Sequence, residues 1–221
     1  MENTAEATLD RGKPNGLDRI IPYIPSLGLI SLMPVQPFQA NTFVAFIDIA
    51  GFKLMMGDGQ RVPLALDAFY NAGFLVLRDH QNESVPVDGF FISDCGVLFV
   101  RGEEQAASIR LESLCQVLRQ IHQRTFERAV QLITSIAWGG FSYDERIEFP
   151  GIEKNPIYGN AYVAAFADNQ GVSSKLYPSE CRLRRDGLPE DVLDFCTRRH
   201  GPVAERMRET SRHFYYEWMR P

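Results

Sequence analysis

The chain has no pair of cysteines at CxxC spacing; its four, Cys95, Cys115, Cys181 and Cys196, are scattered. That scatter argues against a thiolate zinc site or a redox dithiol, so they read as reduced packing residues. The four histidines, His80, His122, His200 and His213, form no HxxxH or HExxH pattern, which argues against a histidine zinc centre. Any metal is therefore expected to be a hard cation held by carboxylates. Long apolar runs are missing too. None approaches the roughly 20 residues that span a bilayer, and Ile20–Met33 is interrupted by Pro22, Pro25 and Gly28. The N-terminus lacks the basic, apolar and small-residue zones of a signal peptide, which makes the cytoplasm the default location. Basic charge is not in excess. A formal net charge of −5 over 221 residues offers no broad surface for long nucleic acid. There is no internal repeat and no low-complexity tract.

What is present suffices for a core. The chain is 45% hydrophobic, with 15 Phe and 8 Tyr, which fits one large folded domain. Residues 1–16 are polar with Gly and Pro and read as a mobile leader. Residues 17–40 are apolar but punctuated by Pro. Thr42–Ala50 (TFVAFIDIA) is apolar on both faces, the pattern of a central strand buried on two sides. Val62–Arg78 and Glu103–Arg124 carry apolar residues at helical spacing. Val87–Ser93 and Gly96–Val100 read as strands joined by a tight turn, with Asp94 and Gly96 available for positive φ. Ala129–Phe141 reads as another strand, 142–158 as a loop or short hairpin, and Asn160–Asn169 as a helix with Asn160 as N-cap. Tyr177–Arg184 suits an edge strand, while Pro189–Thr197 and Pro202–Trp218 suit helices. The expected order is β-α-α-β-β-α-β followed by α and β pieces, an α+β fold.

Two acids interrupt this pattern. Asp48 ends an apolar strand, where a carboxylate is costly unless paired, hydrogen-bonded or bound to metal. Asp94 lies at a hairpin tip beyond Phe90-Phe91-Ile92. Each alone has an ordinary explanation, as a helix cap or a turn residue. If the two strands lie side by side, both carboxylates reach one sheet edge and can share divalent cations. Such a pair suits phosphoryl transfer. The backbone after Asp48 supports that chemistry: Gly51 permits close approach of a phosphate, and the N–H groups of Ala50, Gly51 and Phe52 open a helix. Arg182, Arg184 and Arg185 form a basic cluster, either a solvated surface or a contributor to a polyanion site.

The segments Phe46-Ile47-Asp48-Ile49-Ala50-Gly51-Phe52 and Ile92-Ser93-Asp94-Cys95-Gly96-Val97-Leu98-Phe99 resemble the two metal motifs of class III nucleotidyl cyclase catalytic domains. Ile136–Tyr143 and Ile157–Ala165 resemble that family's glycine-containing strand and helix-opening segments, over about residues 41–200. The resemblance implies a ferredoxin-like βααββαβ domain at 41–200, preceded by a leader at 1–40 and followed by a C-terminal helix at 201–221. It implies two Mg²⁺ or Mn²⁺ ions on Asp48, Asp94 and the Ile49 carbonyl, and a head-to-tail homodimer that shares its active sites. Where adenylyl and guanylyl cyclases read the purine, this chain has Phe90 and Pro156; where they carry a catalytic Asn and Arg, it has Val163 and Ala167. These departures resemble the pyrimidine cyclases of bacterial Pycsar anti-phage systems, which implies UTP or CTP as substrate and a cyclic-nucleotide-responsive effector reached through the product. A catalytically inactive cyclase-like module and a divergent adenylyl cyclase are the alternatives. Arg101, Lys175, Arg182 and Arg184 are the candidates for balancing transition-state charge, with Arg182 also assigned to substrate binding. Phe90 is assigned to the substrate pocket. Trp138 and Tyr143 either line that pocket or pack.

Overall fold

The computed structural model describes residues 36–144, 147–149, 152–153, 156–171, 174–199 and 201–220. Of the leader assigned to residues 1–40, residues 1–35 lie outside the described residues, and 38–40 belong to the first strand. Twelve residues, Phe38–Ile49, form the central strand β1, which therefore starts before the expected Thr42. After the short helix α1 (Phe52–Met55) comes α2 (Arg61–His80), whose Ala65, Ala68, Phe69, Ala72 and Val76 face inward at helical spacing. The hairpin β2 (Val87–Ile92) and β3 (Cys95–Val100) leads to α3 (Ala107–Phe126) and then β4 (Leu132–Tyr143). The expected β-α-α-β-β-α-β order is present. A short hairpin, β5 (Ile147–Phe149) with β6 (Ile152–Glu153), precedes β7 (Ile157–Tyr158) and α4 (Asn160–Asn169). The chain continues through β8 (Cys181–Arg184), α5 (Glu190–Arg198), a single 3-10 turn, β9 (Met207–Glu209) and β10 (His213–Tyr216).

One mixed sheet carries eight of these strands, in the order β2-β3-β1-β4-β8-β10-β9 with β7 also on β4, while β5 and β6 form a separate two-stranded sheet. Every pair is antiparallel except β4 with β8. Side-chain alternation divides β1 between two cores. Phe43, Ala45, Ile47 and Ile49 join the larger core with α2, α3 and α5, while Val44 and Phe46 join a smaller aromatic one with Ala161 and Ala165 of α4. Asp48 continues the second series, so it lies on the α4 face. No helix among the described residues is long and apolar enough to cross a membrane.

Three sequence expectations change. Pro202–Trp218 is not a helix: Pro202 and Val203 lead into the 3-10 turn, and the rest pairs as β9 and β10. In β10 His213, Phe214 and Tyr216 are buried, so cross-strand packing on β8 outweighs helix formation. The expected edge strand β8 is consequently interior, flanked by β4 and β10. Asn160 is the first helical residue rather than the cap; Gly159 caps α4 without a side-chain bond. Gly159 has φ +130, and a Cβ there would meet the Gly140 carbonyl at 2.2 Å, so only glycine fits.

A buried histidine sets a pH limit. His122 is fully buried, with Nε2 2.8 Å from the Thr134 hydroxyl. Burial lowers its pKa to about 3. The unfolded chain then binds this proton first, so stability is complete above about pH 6.5 and falls toward pH 3, by about 1.4 kcal/mol per unit. Denaturant titrations at pH 7.5 and 5 should show about 2 kcal/mol of loss attributable to His122. The same loss in His122→Gln would assign the effect elsewhere.

Candidate active site

The register of the sheet assembles the acidic pair. Asp48 on β1 lies opposite Cys95, the first residue of β3. Asp94 occupies the two-residue turn before it. The Ile49 N–H donates to the Asp94 carbonyl at 3.0 Å, clamping that turn onto the end of β1. Positive φ in the turn falls on Ser93, at 55°, not on Asp94 or Gly96. That is the geometry of a turn whose first central position favours glycine, and a serine there carries strain beside the acid.

One ligand atom each from Asp48, Asp94 and Cys95 falls within 4.8 Å of the others. Asp48 Oδ1 is shut off from solvent and has no hydrogen-bond partner. Burial foremost, and then the neighbouring Asp94 charge, raises the Asp48 pKa to about 7, against a smaller lowering by the Ile49 backbone donor. The Cys95 thiol is pushed up to about 11 by burial and by the charges of Asp48 and Asp94. Among the described residues no cation offsets either effect. A site with two carboxylates, a buried unsatisfied oxygen and no counter-charge fits a divalent cation, whose charge would reverse both shifts.

Helix α4 covers the site from one side. Asn169 is 4% exposed. Its amide donates to the Phe46 carbonyl at 3.2 Å and the Ile133 carbonyl at 3.4 Å, bridging β1 and β4 beside Asp48. Its Oδ1 is buried without a partner. Burial, and then the nearby Cys95, raises the Tyr162 pKa. Nothing in the sequence pattern marks Asn169 or Cys95, because their places beside Asp48 arise only when β1, β3, β4 and α4 meet.

The phosphate-binding expectation is narrowed. The Ala50 N–H is taken by the Gln131 carbonyl at 2.8 Å, which removes it from the proposed donors. Gly51 is exposed, with φ 73 and open space where a Cβ would project. Phe52 anchors α1 in the large core.

The cationic candidates separate. Arg182, expected to bind substrate, is wholly buried and its guanidinium is engaged within the protein. Its Nε donates to Asp168 Oδ2 at 2.7 Å, and its remaining nitrogens bond Ser174 and the Asp168 carbonyl. Asp168 also meets Ser135 Oγ at 2.8 Å and His213 Nε2 at 3.0 Å. A strand reading Cys-Arg-Leu-Arg looks like surface until α4 supplies that carboxylate. Arg101 lies beyond the far end of β3 from Asp94, bound to Asp88 and to backbone carbonyls of Gln36 and Pro37. Half-buried Arg184 pairs with Asp186, and Lys175 is exposed. Trp138 packs on Phe43 at 4.7 Å in the large core, on the face away from the acids. Phe90 is half-buried on the α4 face, its ring centroid 5.8 Å from that of buried Tyr143.

No family model matches the sequence, and no curated protein matches it. Solved structures do resemble the fold. The adenylyl cyclase CyaB from P. aeruginosa superimposes with a TM-score of 0.56 at 12% identity, over 82% of this chain and 95% of that one. A non-canonical dimeric guanylyl cyclase domain from the fungus Blastocladiella emersonii gives 0.55 at 11% identity, over 82% and 97%. A class III adenylyl cyclase-like ATP-binding protein from Pseudomonas aeruginosa gives 0.51 at 14% identity, over 75% and 38%. The chain has the class III cyclase fold, α+β with a mostly antiparallel sheet.

Proposed function

We propose that this chain is a nucleotidyl cyclase that converts a pyrimidine nucleoside triphosphate, UTP in preference to CTP, to its 3′,5′-cyclic monophosphate and pyrophosphate. The observation that carries the reading is the Asp48–Asp94 pair, with its unpartnered buried oxygen, at the end of β1 in a class III cyclase fold. In the reaction the ribose 3′-oxygen bonds to the α-phosphorus and loses its proton, while the bond to the bridging oxygen breaks and pyrophosphate departs. When bound, two Mg²⁺ or Mn²⁺ ions would polarise the attacking oxygen and offset triphosphate charge. Asp48, Asp94 and the Ile49 carbonyl would hold them. Gly51 lets the backbone approach the phosphates, with the N–H groups of Gly51 and Phe52 as donors.

The pyrimidine preference rests on what Phe90 and Pro156 lack. Neither side chain offers a hydrogen-bonding group to a purine edge, and Phe90 packs against Tyr143. Lys175 and Arg184 are the remaining candidates for transition-state charge. A head-to-tail homodimer with shared sites is supported by exposed apolar side chains around α4: Val163 is 59%, Tyr158 50% and Phe166 43% exposed. The product would serve as a cytoplasmic messenger in antiviral defence, read by a separate effector.

The test is incubation with each of the four triphosphates and Mn²⁺ or Mg²⁺, with product mass read directly. Cyclic UMP or cyclic CMP with pyrophosphate is expected. Cyclic AMP instead would overturn the pyrimidine assignment. Four intact triphosphates would overturn the cyclase reading in favour of a second one, a nucleotide-binding module without turnover. Val163 and Ala167, apolar where cyclases carry Asn and Arg, favour that second reading.

A further inference from the structure

We propose that Cys95 is a third protein ligand beside Asp48 and Asp94, giving this site a mixed oxygen and sulfur donor set that captures thiophilic divalent cations such as Zn²⁺, Cd²⁺ and Co²⁺. The inference rests on the reading of the two aspartates as cation ligands. Its own basis is the register. Asp48 and Cys95 are direct cross-strand partners on the α4 face. The flanking bond from Ile49 N–H to the Asp94 carbonyl makes them a pair of the narrow, non-hydrogen-bonded kind. In such pairs the Cα atoms are about 4.5 Å apart and the side chains approach most closely. The thiol therefore stands beside the carboxylate whose Oδ1 is buried and unpartnered. The Cys95 sulfur lies 4.0 Å from Asp94 Oδ1, and donors from all three residues lie within 4.8 Å. A second unpartnered acceptor, Oδ1 of the almost fully buried Asn169, lies on the same face.

Carboxylates alone suit hard cations; a thiolate shifts preference toward borderline and soft ones. On binding, the Cys95 S–H bond gives way to a sulfur–metal bond and the proton passes to solvent. Mg²⁺ has no use for the sulfur, so the oxygens serve it alone. A thiophilic ion would take both carboxylates and the thiolate together, and so block the site. Cys115, Cys181 and Cys196 are fully buried in the large core and do not compete.

The test is titration of the reduced full-length protein with Co²⁺ and Cd²⁺, followed by the sulfur-to-metal charge-transfer absorption, with Mg²⁺ affinity measured by competition. A band of one-thiol intensity is expected, absent in Cys95→Ser and Cys95→Ala. The ratio of Cd²⁺ to Mg²⁺ affinity should fall about 10- to 100-fold in both variants. Asp48→Asn should weaken every cation. Binding that Asp48→Asn abolishes but that shows no band, or a band that survives in Cys95→Ser, would overturn the thiol ligand and leave the carboxylate reading standing. No binding of any divalent cation would overturn both. A Cys95-dependent band in a protein that leaves all four triphosphates intact would support the thiol ligand and overturn the cyclase assignment.

Discussion

Asp48→Asn is expected to lower cyclic nucleotide formation by at least about a thousandfold while raising the thermal stability of the metal-free chain. The two effects have one cause. The Asp48 carboxylate is held in a half-buried position beside Asp94, with one oxygen that no protein group satisfies. Asn keeps the size and removes the charge, so repulsion and desolvation cost both fall. A gain of about 1–2 kcal/mol follows, equivalent to a few degrees in melting temperature. The same change removes the negative charge that would hold a cation. Product assays with Mn²⁺ and melting curves with and without Mn²⁺ check both. The parent should be stabilised by the cation, and the variant should not. Retained turnover would sink the assignment of Asp48 as a metal ligand. A lower melting temperature in the metal-free variant would show that the carboxylate is structural.

Loss of Asp168 or Arg182 is expected to have the largest effect on stability. Arg182 is fully buried and Asp168 is 1% exposed. Asp168 ties together Arg182 of β8, His213 of β10 and Ser135 of β4, across three neighbouring strands. Removing one member leaves a buried charge unpaired, at a cost of about 3–5 kcal/mol. Asp168→Ala and Arg182→Met should each lose that much in denaturant titration. The double variant Asp168→Leu with Arg182→Met should lose less than the sum, because no unpaired ion remains. Additive losses would show that the pair contributes through packing alone. Asn169 follows Asp168 directly and bridges β1 and β4 beside Asp48. The single variants are therefore also expected to weaken Mn²⁺ binding, which the melting shift with Mn²⁺ would register.

The sequence by itself determined the central strand, the hairpin, the three longer helices and the two acids. Each of these is a local pattern. β1 is apolar on both faces because the sheet is covered on both, and α2 and α3 repeat apolar residues at 3.6 because one stripe is covered. Asp48 was legible because a charge in such a strand requires a reason. Tertiary structure decided what depends on residues far apart. Arg182 is an interior ion because Asp168 comes to it from another element, and no run of four residues can encode that partner. His213–Tyr216 forms a strand because β8 offers it an edge, although its own sequence permits a helix. Cys95 read as packing; only the register of β1 on β3 turns it toward Asp48, since a shift of one residue would send the thiol to the opposite face.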